Sequence, residues 1–376
     1  MQILILVTHL LGTGHLSRAL TLARAFAQKG HTVTVLSGGM PAPHLKSKGI
    51  ALHQLPPVRS DGTNFTRLLT AQNIPVDAAY LAQREKIILN VFNTTKPDAI
   101  ITELFPFGRR ILRDEFGTLL TAAKNTCVVL SSIRDILAPP SNLAKAEKTD
   151  RIIDTLYDGV LVHSDPATTP LNQSWPVSDM LSQKLHYTGY VTPAPAGPHL
   201  DQVGKDEVIV SAGGGSVGSA LFECTVQAAL LKSDLQWRLL IGGANPAPEI
   251  KRLQEIATSS NLQIEPARPD FRQLLYHAAC SVSMCGYNTA LDLLQAGTPS
   301  VFVPFDDGGE VEQTLRAKSL AKHPSFTVLT SKELTPQNLL SAVQTVQDAG
   351  RFERGALEFN GALETVKITS KLVGKR

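Results

Sequence analysis

Short apolar, β-rich runs alternate with helix-length amphipathic segments along almost the whole chain. The apolar runs are nearly continuous, which is typical of strands that are covered by helices on both faces. Strands that alternate with helices in this way predict an α/β fold with parallel sheets. In the first half of the chain the predicted strands are 3–8, 32–36, 50–54, 99–102, 126–130, 160–163 and 185–188.

A proline-rich segment at 191–198 interrupts this alternation and is predicted to be a linker. Beyond it the alternation restarts. The predicted strands of the second half are 208–211, 238–241, 262–264, 281–284, 301–303 and 326–329. Helices are predicted between them at 216–231, 289–295 and 312–321.

The length of 376 residues suits two domains better than one. We therefore predict two Rossmann-like parallel-sheet domains that face each other across a cleft. The predicted segments are a first domain at 1–190, a linker at 191–205, a second domain at 206–350, and a C-terminal helix within 351–376 that could return to the first domain. In open parallel sheets ligands bind beyond the carboxyl ends of the strands, so functional residues should directly follow strands.

The charge of the chain does not point to nucleic acid as a partner. A formal net charge of +3 is too small to indicate binding to nucleic acid. No Asp or Glu precedes Asp61, whereas several Lys and Arg residues, including Arg18 and Arg24, do. This uneven distribution could favour an anionic acceptor or a peripheral contact with a membrane, or it could be an incidental property of the surface.

The cysteines and the apolar segments bear on the cellular compartment. Cys127, Cys224, Cys280 and Cys285 form no Cys-x-x-Cys pair and are predicted to be buried free thiols. No stretch approaches the roughly 20 apolar residues needed to span a bilayer, and no basic segment of a signal peptide starts the chain. We therefore expect a cytoplasmic protein, with peripheral membrane association left open.

A glycine-rich turn, Gly12-Thr13-Gly14-His15, follows the first predicted strand and opens a helix. Such glycines allow a sharp turn, and the helix N-terminus presents free N–H groups to negative charge. The third glycine and the ribose-binding acid of a dinucleotide fold are missing, which disfavours NAD. His15 would stand at the mouth of the cleft with a pKa suited to a general base, or it would only cap the helix.

A second glycine-rich turn, Gly213-Gly214-Gly215-Ser216, follows the first strand of the second half and opens another helix. Consecutive glycines expose backbone N–H groups in a nest that fits a diphosphate. The Lys of a P-loop is missing, so a kinase or an ATPase is disfavoured. The alternative is a tight strand-to-helix turn that contacts no ligand.

The longest motif runs through 285–299 and continues at 301–305 to Gln313. Gly286 ends a strand, and Gly297 is predicted to stop the helix that follows. Asp292 is an acid on this otherwise apolar helix, where burial is costly unless the carboxylate accepts hydrogen bonds. Two vicinal ribose hydroxyls would supply such bonds, and a solvated acid on the helix face is the alternative.

Together these motifs resemble the glycosyltransferase B fold, in particular the family that includes the peptidoglycan N-acetylglucosaminyltransferase acting on a lipid-linked muramyl precursor. The resemblance covers nearly the whole chain, and its most specific part is the Gly…Asp…Ala-Gly-x-Pro…Pro-Phe…Gln signature. The opening turn is more similar to another branch of predicted glycosyltransferases. The resemblance implies an acceptor-side first domain, a nucleotide-sugar-binding second domain and no cofactor.

The resemblance implies a set of donor-binding residues in the second domain. Asp292, where the family usually has Glu, would bind the donor ribose, and Gln313 would meet hydroxyls of the donor sugar. Arg268 would border the base, and the glycine turn with Ser216 would take the diphosphate. The phosphate and ribose side would be lined by Gly286, Tyr287, Asn288 and Thr289.

The acceptor side is assigned to the first domain. His15 matches the family's N-terminal histidine near the reaction centre, and Gly12, Thr13 and Gly14 would lie beside it. Glu103 follows a strand and is the second candidate base, with Arg109 or its neighbour Arg110 on an anionic acceptor. The alternative is a structural acid with solvated arginines. Asp306 and Asp307 are adjacent acids in a glycine-rich loop, and we interpret them as solvated rather than as metal ligands.

These assignments lead to one functional hypothesis, a hexosyltransferase that acts with inversion and without a metal. A base would take the proton of an acceptor hydroxyl, and the glycine turn and helix dipoles would stabilise the leaving nucleoside diphosphate, with UDP favoured. The acceptor is left open and includes lipid-linked and anionic compounds. The alternatives are a nucleotide-sugar hydrolase or 2-epimerase of the same fold, and a non-catalytic protein that binds sugar nucleotides.

Overall fold

The computed structural model describes residues 1–43, 45, 47–60, 67–213, 217–243, 245–257, 259–306, 310–353, 355 and 357–376. The chain forms two compact units. The first contains Met1–Pro193 and Glu358–Arg376, and the second contains Ala194–Leu357.

The first unit is built on a parallel sheet of seven strands. In chain order the strands are β1 (Gln2–Val7), β2 (Thr32–Ser37), β3 (Ala51–Gln54), β4 (Ala99–Glu103), β5 (Val128–Arg134), β6 (Gly159–His163) and β7 (Leu185–Tyr187). Their order across the sheet is β3-β2-β1-β4-β5-β6-β7, so β1 lies inside the sheet and pairs with β2 and β4. This order brings the carboxyl ends of β1, β4, β5 and β6 side by side.

The apolar character of β1 has a direct structural cause. Successive side chains of a strand point to opposite faces of the sheet. Leu4 and Leu6 therefore pack into one hydrophobic core, while Ile3, Ile5 and Val7 pack into the core on the other face. Because both faces of β1 are covered, these residues are all apolar, and they show no alternation of polar and apolar side chains.

Helices cover both faces of the first sheet. They are α1 (Gly14–Gln28), α2 (Ala78–Thr95), α3 (Arg113–Ala123), α4 (Leu143–Leu156), α5 (Asp179–Lys184) and, from the end of the chain, α12 (Gly361–Val373). The side chain of Asp77 caps α2, and that of Asn142 caps α4. The helix α12 packs on α1, and Val366 joins the same core as Leu16. The C-terminal helix is thus part of the first unit.

The second unit has a parallel sheet of six strands around one main core. Its strands are β8 (Glu207–Ser211), β9 (Gln236–Ile241), β10 (Leu262–Pro266), β11 (Cys280–Ser283), β12 (Ser300–Phe302) and β13 (Phe326–Val328). Its helices are α6 (Ser219–Leu231), α7 (Ala247–Ile256), α8 (Phe271–Leu274), α9 (Tyr287–Ala296), α10 (Glu312–Leu320) and α11 (Pro336–Ala349). The strand order β10-β9-β8-β11-β12-β13 repeats that of the first six strands.

Every predicted strand overlaps a strand of the structure. The largest offset is in β5, which was expected at 126–130 and begins at Val128. The backbone N–H groups of Thr126 and Cys127 donate to the Ala123 carbonyl at the end of α3, so pairing starts after them. The four cysteines are buried free thiols, as predicted. Among the helices described, none is both long and apolar enough to cross a membrane.

Candidate functional site

Polar side chains meet at the carboxyl edge of the first sheet. His15 lies in the first turn of α1, directly after β1, and Glu103 is the last residue of the neighbouring strand β4. Ser132 lies on β5, and His163 ends β6. Because these strands are adjacent and parallel, four residues that are distant in sequence come within reach of one another.

The two candidate bases are hydrogen-bonded to each other. His15 Nδ1 lies 2.9 Å from Glu103 Oε1, and Arg18 Nη2 contacts the same carboxylate oxygen. Arg18 is three residues after His15 and therefore lies on the same face of α1. Glu103 is only 2% exposed and Arg18 5%. Arg18 is thus part of a buried ion pair, and the expectation that it contributes to a positive surface is wrong.

The second oxygen of Glu103 is also occupied. Ser132 Oγ donates to Glu103 Oε2 over 2.7 Å. Beyond it, Ser132 Oγ lies 2.9 Å from His163 Nε2, and His163 Nδ1 lies 2.8 Å from Thr188 Oγ1. A continuous hydrogen-bonded chain therefore runs from His15 across the edge of the sheet to Thr188.

The charge states of the pair follow from burial and neighbouring charges. Burial lowers the pKa of His15 to about 3, against the opposing hydrogen bond to Glu103. Burial acts to raise the pKa of Glu103, but the Arg18 charge and the His15 hydrogen bond outweigh it and lower that pKa below its ordinary value. At pH 7 the pair is a neutral imidazole beside a carboxylate. The expected near-neutral pKa of His15 is wrong, because the ring is largely withdrawn from water.

This arrangement fixes the tautomer of His15. A carboxylate only accepts hydrogen bonds, so the contact with Glu103 requires the ring proton on Nδ1. Arg18 Nη2 also lies 3.2 Å from Nδ1, but it donates to the same Glu103 oxygen. The lone pair of the neutral ring is then on Nε2. The arrangement matches the general pattern in which a buried carboxylate orients a histidine base. Glu103 itself, buried and bonded at both oxygens, is poorly placed to accept a further proton.

The other acceptor-side candidates surround His15. Thr13 is the N-cap residue of α1, with no side-chain hydrogen bond in that role, and Gly14 is the first residue of the helix. A methyl group on Gly12 would meet no heavy atom within 4 Å, so that glycine faces open space. Arg109 Nε donates to the Thr8 carbonyl at 2.5 Å, and the Arg109 charge helps to lower the pKa of His15. Arg109 is therefore a cation whose charge acts on the imidazole.

In the second unit the glycine turn is described only in part. Gly213 has a φ of +82°, and its N–H donates to Ser211 Oγ at 3.1 Å. Gly214, Gly215 and Ser216 lie outside the described residues. The helix α6 follows, with Gly218 at its N-cap.

The first turns of α6 and α9 share two properties. Each has glycine at the N-cap, Gly218 and Gly286 respectively, so the cap residue offers no side-chain oxygen to the first N–H groups. Neither first turn contains an acidic residue. Both helix N-termini can therefore present backbone N–H groups and a positive dipole end to an anion. Asn288 is exposed and Thr289 half-buried in the first turn of α9.

Tyr287 is placed differently from its neighbours. Its side chain is buried, and the Arg316 guanidinium lies 5.7 Å from the centre of its ring. Arg316 also donates from Nη1 to the Cys285 carbonyl at 2.9 Å. The Tyr287 side chain is thus packed inside the second unit, and its backbone N–H is the group that it can present at the N-terminus of α9.

Asp292 has a cationic partner that the sequence did not indicate. Arg272 Nε lies 2.8 Å from Asp292 Oδ1. Arg272 Nη2 also donates to the Gln295 side chain and to the Ala194 carbonyl. Burial raises the pKa of Asp292 to about 6, against the opposing charge of Arg272. The carboxylate is thus half-buried and already accepts one strong hydrogen bond.

The remaining donor-side candidates contact different partners. Arg268 forms a two-point ion pair with Asp270, with distances of 2.8 and 2.7 Å. Gln313 Oε1 accepts a hydrogen bond from the Phe305 N–H at 3.2 Å, so its amide nitrogen is the group it would offer to a sugar hydroxyl. Within the described part of the second unit, Asp292, Arg268 and Gln313 are not joined in one hydrogen-bonded cluster.

No metal-binding arrangement is present in the described ranges. No three His, Cys, Asp or Glu side chains come together there as potential ligands. Asp306 Oδ2 accepts a hydrogen bond from the Ser331 hydroxyl at 2.8 Å, and Asp307 lies outside the described residues.

Sequence reasoning missed Ser132, His163, Arg18 and Arg272. Ser131 and Ser132 interrupt the apolar run of β5 in its second half, and His163 is the polar last residue of the next strand. Polar residues at these positions in apolar strands could have indicated that the two strands contribute to a site. Arg18 and Arg272 left no comparable signal, because each meets its acid only through the tertiary fold.

Comparison with known proteins gives consistent results. Residues 209–359 match the glycosyltransferase family 28 C-terminal domain. The chain is 23% identical over 379 aligned residues to the UDP-N-acetylglucosamine–N-acetylmuramyl-(pentapeptide) pyrophosphoryl-undecaprenol N-acetylglucosamine transferase of Cupriavidus metallidurans, covering 96% of each protein. It is 28% identical to the enzyme of the same name from Bacillus pumilus, over 46% of this chain and 50% of that protein.

Solved structures share the fold over the full length. The crystal structure of Acinetobacter baumannii MurG aligns with a TM-score of 0.67 and 19% identity, covering 98% of this chain and 99% of that one. The calicheamicin glycosyltransferase CalG4 aligns with a TM-score of 0.63 and 15% identity, covering 99% and 97% respectively. At these identities the structural similarity shows the fold alone.

Proposed function

Because the chain is a glycosyltransferase of the B fold, related to family 28, we propose that it transfers a hexosyl group from a UDP-linked sugar to an acceptor hydroxyl, with inversion and without a metal ion. The first unit is assigned to the acceptor and the second to the donor. The observation that carries the proposal is the hydrogen bond between His15 and the buried carboxylate of Glu103.

In the proposed reaction His15 is the general base. Its Nε2 lone pair accepts the proton of the acceptor hydroxyl as the oxygen attacks the anomeric carbon and the bond to the nucleoside diphosphate breaks. Glu103 stabilises the imidazolium that forms, because it is an anion 2.9 Å from Nδ1. Burial opposes protonation of His15, so proton transfer has to coincide with departure of the leaving group. One such displacement inverts the anomeric carbon.

The donor is proposed to bind at the glycine-capped helices α6 and α9. Their N-termini offer N–H groups and positive dipole ends to the diphosphate, which supports binding without a metal. The side chain of Asp292 is proposed to accept hydrogen bonds from the ribose. Arg272 already occupies Asp292 Oδ1, so the ribose would have to share the carboxylate with that guanidinium.

The acceptor is proposed to be lipid-linked. The Cupriavidus and Bacillus relatives are named for an acceptor carried on pyrophosphoryl-undecaprenol. In this chain Arg109 supplies a positive charge near His15 that suits an anionic group on an acceptor. We therefore propose a cytoplasmic protein that acts at the membrane surface through its first unit.

The proposal is tested by supplying the purified protein with UDP-sugars and a lipid pyrophosphate-linked acceptor. A new glycosidic product whose anomeric configuration, measured by NMR, is opposite to that of the donor supports inverting transfer. Release of free sugar at the same rate with and without acceptor indicates a hydrolase, and conversion of the donor to its 2-epimer indicates an epimerase. Either of these two results would refute the transfer function.

A further inference from the structure

His163 is a buried histidine that the proposed reaction does not use directly. Its side chain is 0% exposed, and both ring nitrogens lie against hydroxyl oxygens. Nε2 is 2.9 Å from Ser132 Oγ, and Nδ1 is 2.8 Å from Thr188 Oγ1. Because Ser132 also donates to Glu103, these contacts join His163 to the carboxylate that holds His15.

The protons available determine the direction of this chain. The Ser132 hydroxyl has one proton, and it goes to Glu103 Oε2, which as a carboxylate oxygen can only accept. Ser132 Oγ must then accept from His163, so Nε2 of His163 carries the ring proton. A neutral His163 then has no proton on Nδ1, and the one proton of the Thr188 hydroxyl can go either to Nδ1 or to the Gly189 carbonyl, each 2.8 Å from Thr188 Oγ1. The protons on His163 Nε2 and on Ser132 Oγ therefore both point toward Glu103.

The neutral state of His163 is supported by its surroundings. Its pKa is lowered to about 3, mainly by burial and also by the charge of Arg18 on α1, against the opposing charge of Glu103 on β4. A protonated His163 would place a second positive charge near Arg18 in the interior. At pH 7 the ring therefore has one proton, and the geometry assigns it to Nε2.

We propose that Ser132 and His163 are positioning residues for the base His15, an inference that rests on the proposed function of that residue. Ser132 holds Oε2 of Glu103, and His163 fixes the direction of the Ser132 hydroxyl. With Oε2 held, Oε1 stays aligned with His15 Nδ1, and the lone pair of His15 stays on Nε2. If Ser132 donated to His163 instead, Oε2 would lose a donor and the carboxylate could rotate away from His15.

The first test compares Ser132→Ala with Ser131→Ala. Ser131 is a matched control, because it is also buried on β5 and donates a hydrogen bond to the Phe105 carbonyl. That hydrogen bond is not part of the series that links His163 to Glu103. Nitrogen NMR of the full-length protein at pH 7 should show the Nδ1-protonated tautomer of His15 in the wild type and in S131A. In S132A the same signals should indicate a mixture of tautomers. The kcat of S132A should fall about 10- to 100-fold with an unchanged KM for the donor, as for other residues that orient a functional side chain.

The second test uses two His163 variants. His163→Gln retains an N–H that can reach Ser132 and should preserve the His15 tautomer, whereas His163→Leu removes it and should reproduce S132A. A wild-type tautomer and a wild-type kcat in both S132A and H163L would overturn the proposal. If His15→Ala left kcat unchanged, the base assignment would fail, but the tautomer signals would still report whether Ser132 and His163 orient His15.

Discussion

The carboxyl edges of the two sheets present different kinds of chemistry. In the first unit the edge is a connected set of side chains, in which each oxygen of Glu103 is held by a named donor from another element. In the second unit the described edge consists mainly of glycine-capped helix N-termini, with Asp292 held by Arg272 to one side. The two sheets share a strand order but not a type of site.

Under the proposed function, this difference lets one architecture serve two roles. A base must have its proton on a defined atom, which requires side chains in fixed orientations. A diphosphate requires donors and positive potential, and backbone N–H groups at helix ends provide both without a specific side chain. Because fixing a side chain takes several partners, we expect single substitutions to have larger effects in the first unit.

The largest expected effect is that of His15→Ala on the rate of transfer. Loss of a general base should lower kcat by about 10²–10⁴-fold. The affinity for UDP should change little, because the proposed donor groups lie in the second unit. Steady-state kinetics with a UDP-sugar, together with calorimetric titration of UDP, measures both quantities.

His53→Ala is the matched control for His15→Ala, because His53 is an exposed histidine on the edge strand β3 of the same sheet. It should leave kcat and UDP affinity as in the wild type. A near-normal kcat in H15A would remove His15 from the chemistry. Loss of UDP binding in H15A would instead make His15 part of the donor site and contradict the division between the units.

The second prediction is that the two units respond in opposite directions to mild acid. His15 and His163 have pKa values lowered to about 3 from 6.5, so their stabilisation is present above pH 6.5 and is lost as the pH falls toward 3. Asp292 has a pKa raised from 3.8 to about 6, so its ionisation costs stability as the pH rises through that range. Between pH 6.5 and 5 the first unit should therefore lose stability, and the Asp292 contribution to the second should increase.

The expected slope for the first unit rises toward about 1.4 kcal/mol of unfolding free energy per pH unit for each histidine as the pH falls from 6.5 to 5. Hydrogen exchange of β1 and of α9 at several pH values, under conditions where exchange reports the opening free energy, measures the two units separately. H15Q and H163Q should each reduce the slope of the first unit. If the wild type, H15Q and H163Q all had the same slope in the first unit, the pKa values of the buried imidazoles would not be lowered, and the prediction would be wrong.

The fold was predictable from local pattern, whereas the pairing in the site was not. The continuous hydrophobicity of β1 predicted a strand covered on both faces, and residues of β1 do pack into two cores. The sequence also placed His15 and Glu103 after strands, but as alternative bases. Their hydrogen bond depends on β1 lying next to β4, and hydrophobic periodicity says nothing about the order of strands in a sheet.

The donor side shows a similar limit. The motif around Gly286 predicted a helix that ends at Gly297, and Gly297 does end α9 with a φ of +73°. The apolar neighbours of Asp292 indicated correctly that its carboxylate needs a hydrogen-bond donor. The donor that the structure supplies is Arg272, twenty residues earlier, and no spacing rule connects the two positions. Whether a ribose also contacts Asp292 stays a prediction.

A smaller effect is expected from Asp292→Ala on nucleotide binding. Loss of the carboxylate should weaken UDP binding by about 1–3 kcal/mol, the usual cost of leaving polar groups without a partner. The kcat at saturating donor should change less than in H15A, because Asp292 is not proposed to act on the reacting bond. Calorimetric titration of UDP into the variant measures the affinity.

Asp348→Ala is the control for Asp292→Ala, since Asp348 is an exposed acid on α11 of the same unit. It should bind UDP as the wild type does. Thermal unfolding of D292A checks that the loss of the Arg272 ion pair has not unfolded the second unit. A folded D292A with unchanged UDP affinity would restrict Asp292 to holding Arg272.

The smallest expected effect is that of a chelator, which should leave the rate of transfer unchanged. The N-termini of α6 and α9 are proposed to stabilise the diphosphate, so no divalent ion is needed for that role. The rate should be measured with excess EDTA, and again after magnesium or manganese is added back. A rate that falls on chelation and recovers with either metal would contradict the proposal. In that case Asp306→Asn would test whether the Asp306 carboxylate, which accepts a hydrogen bond from Ser331, is a metal ligand. Loss of a metal ligand should raise the metal concentration needed for activity.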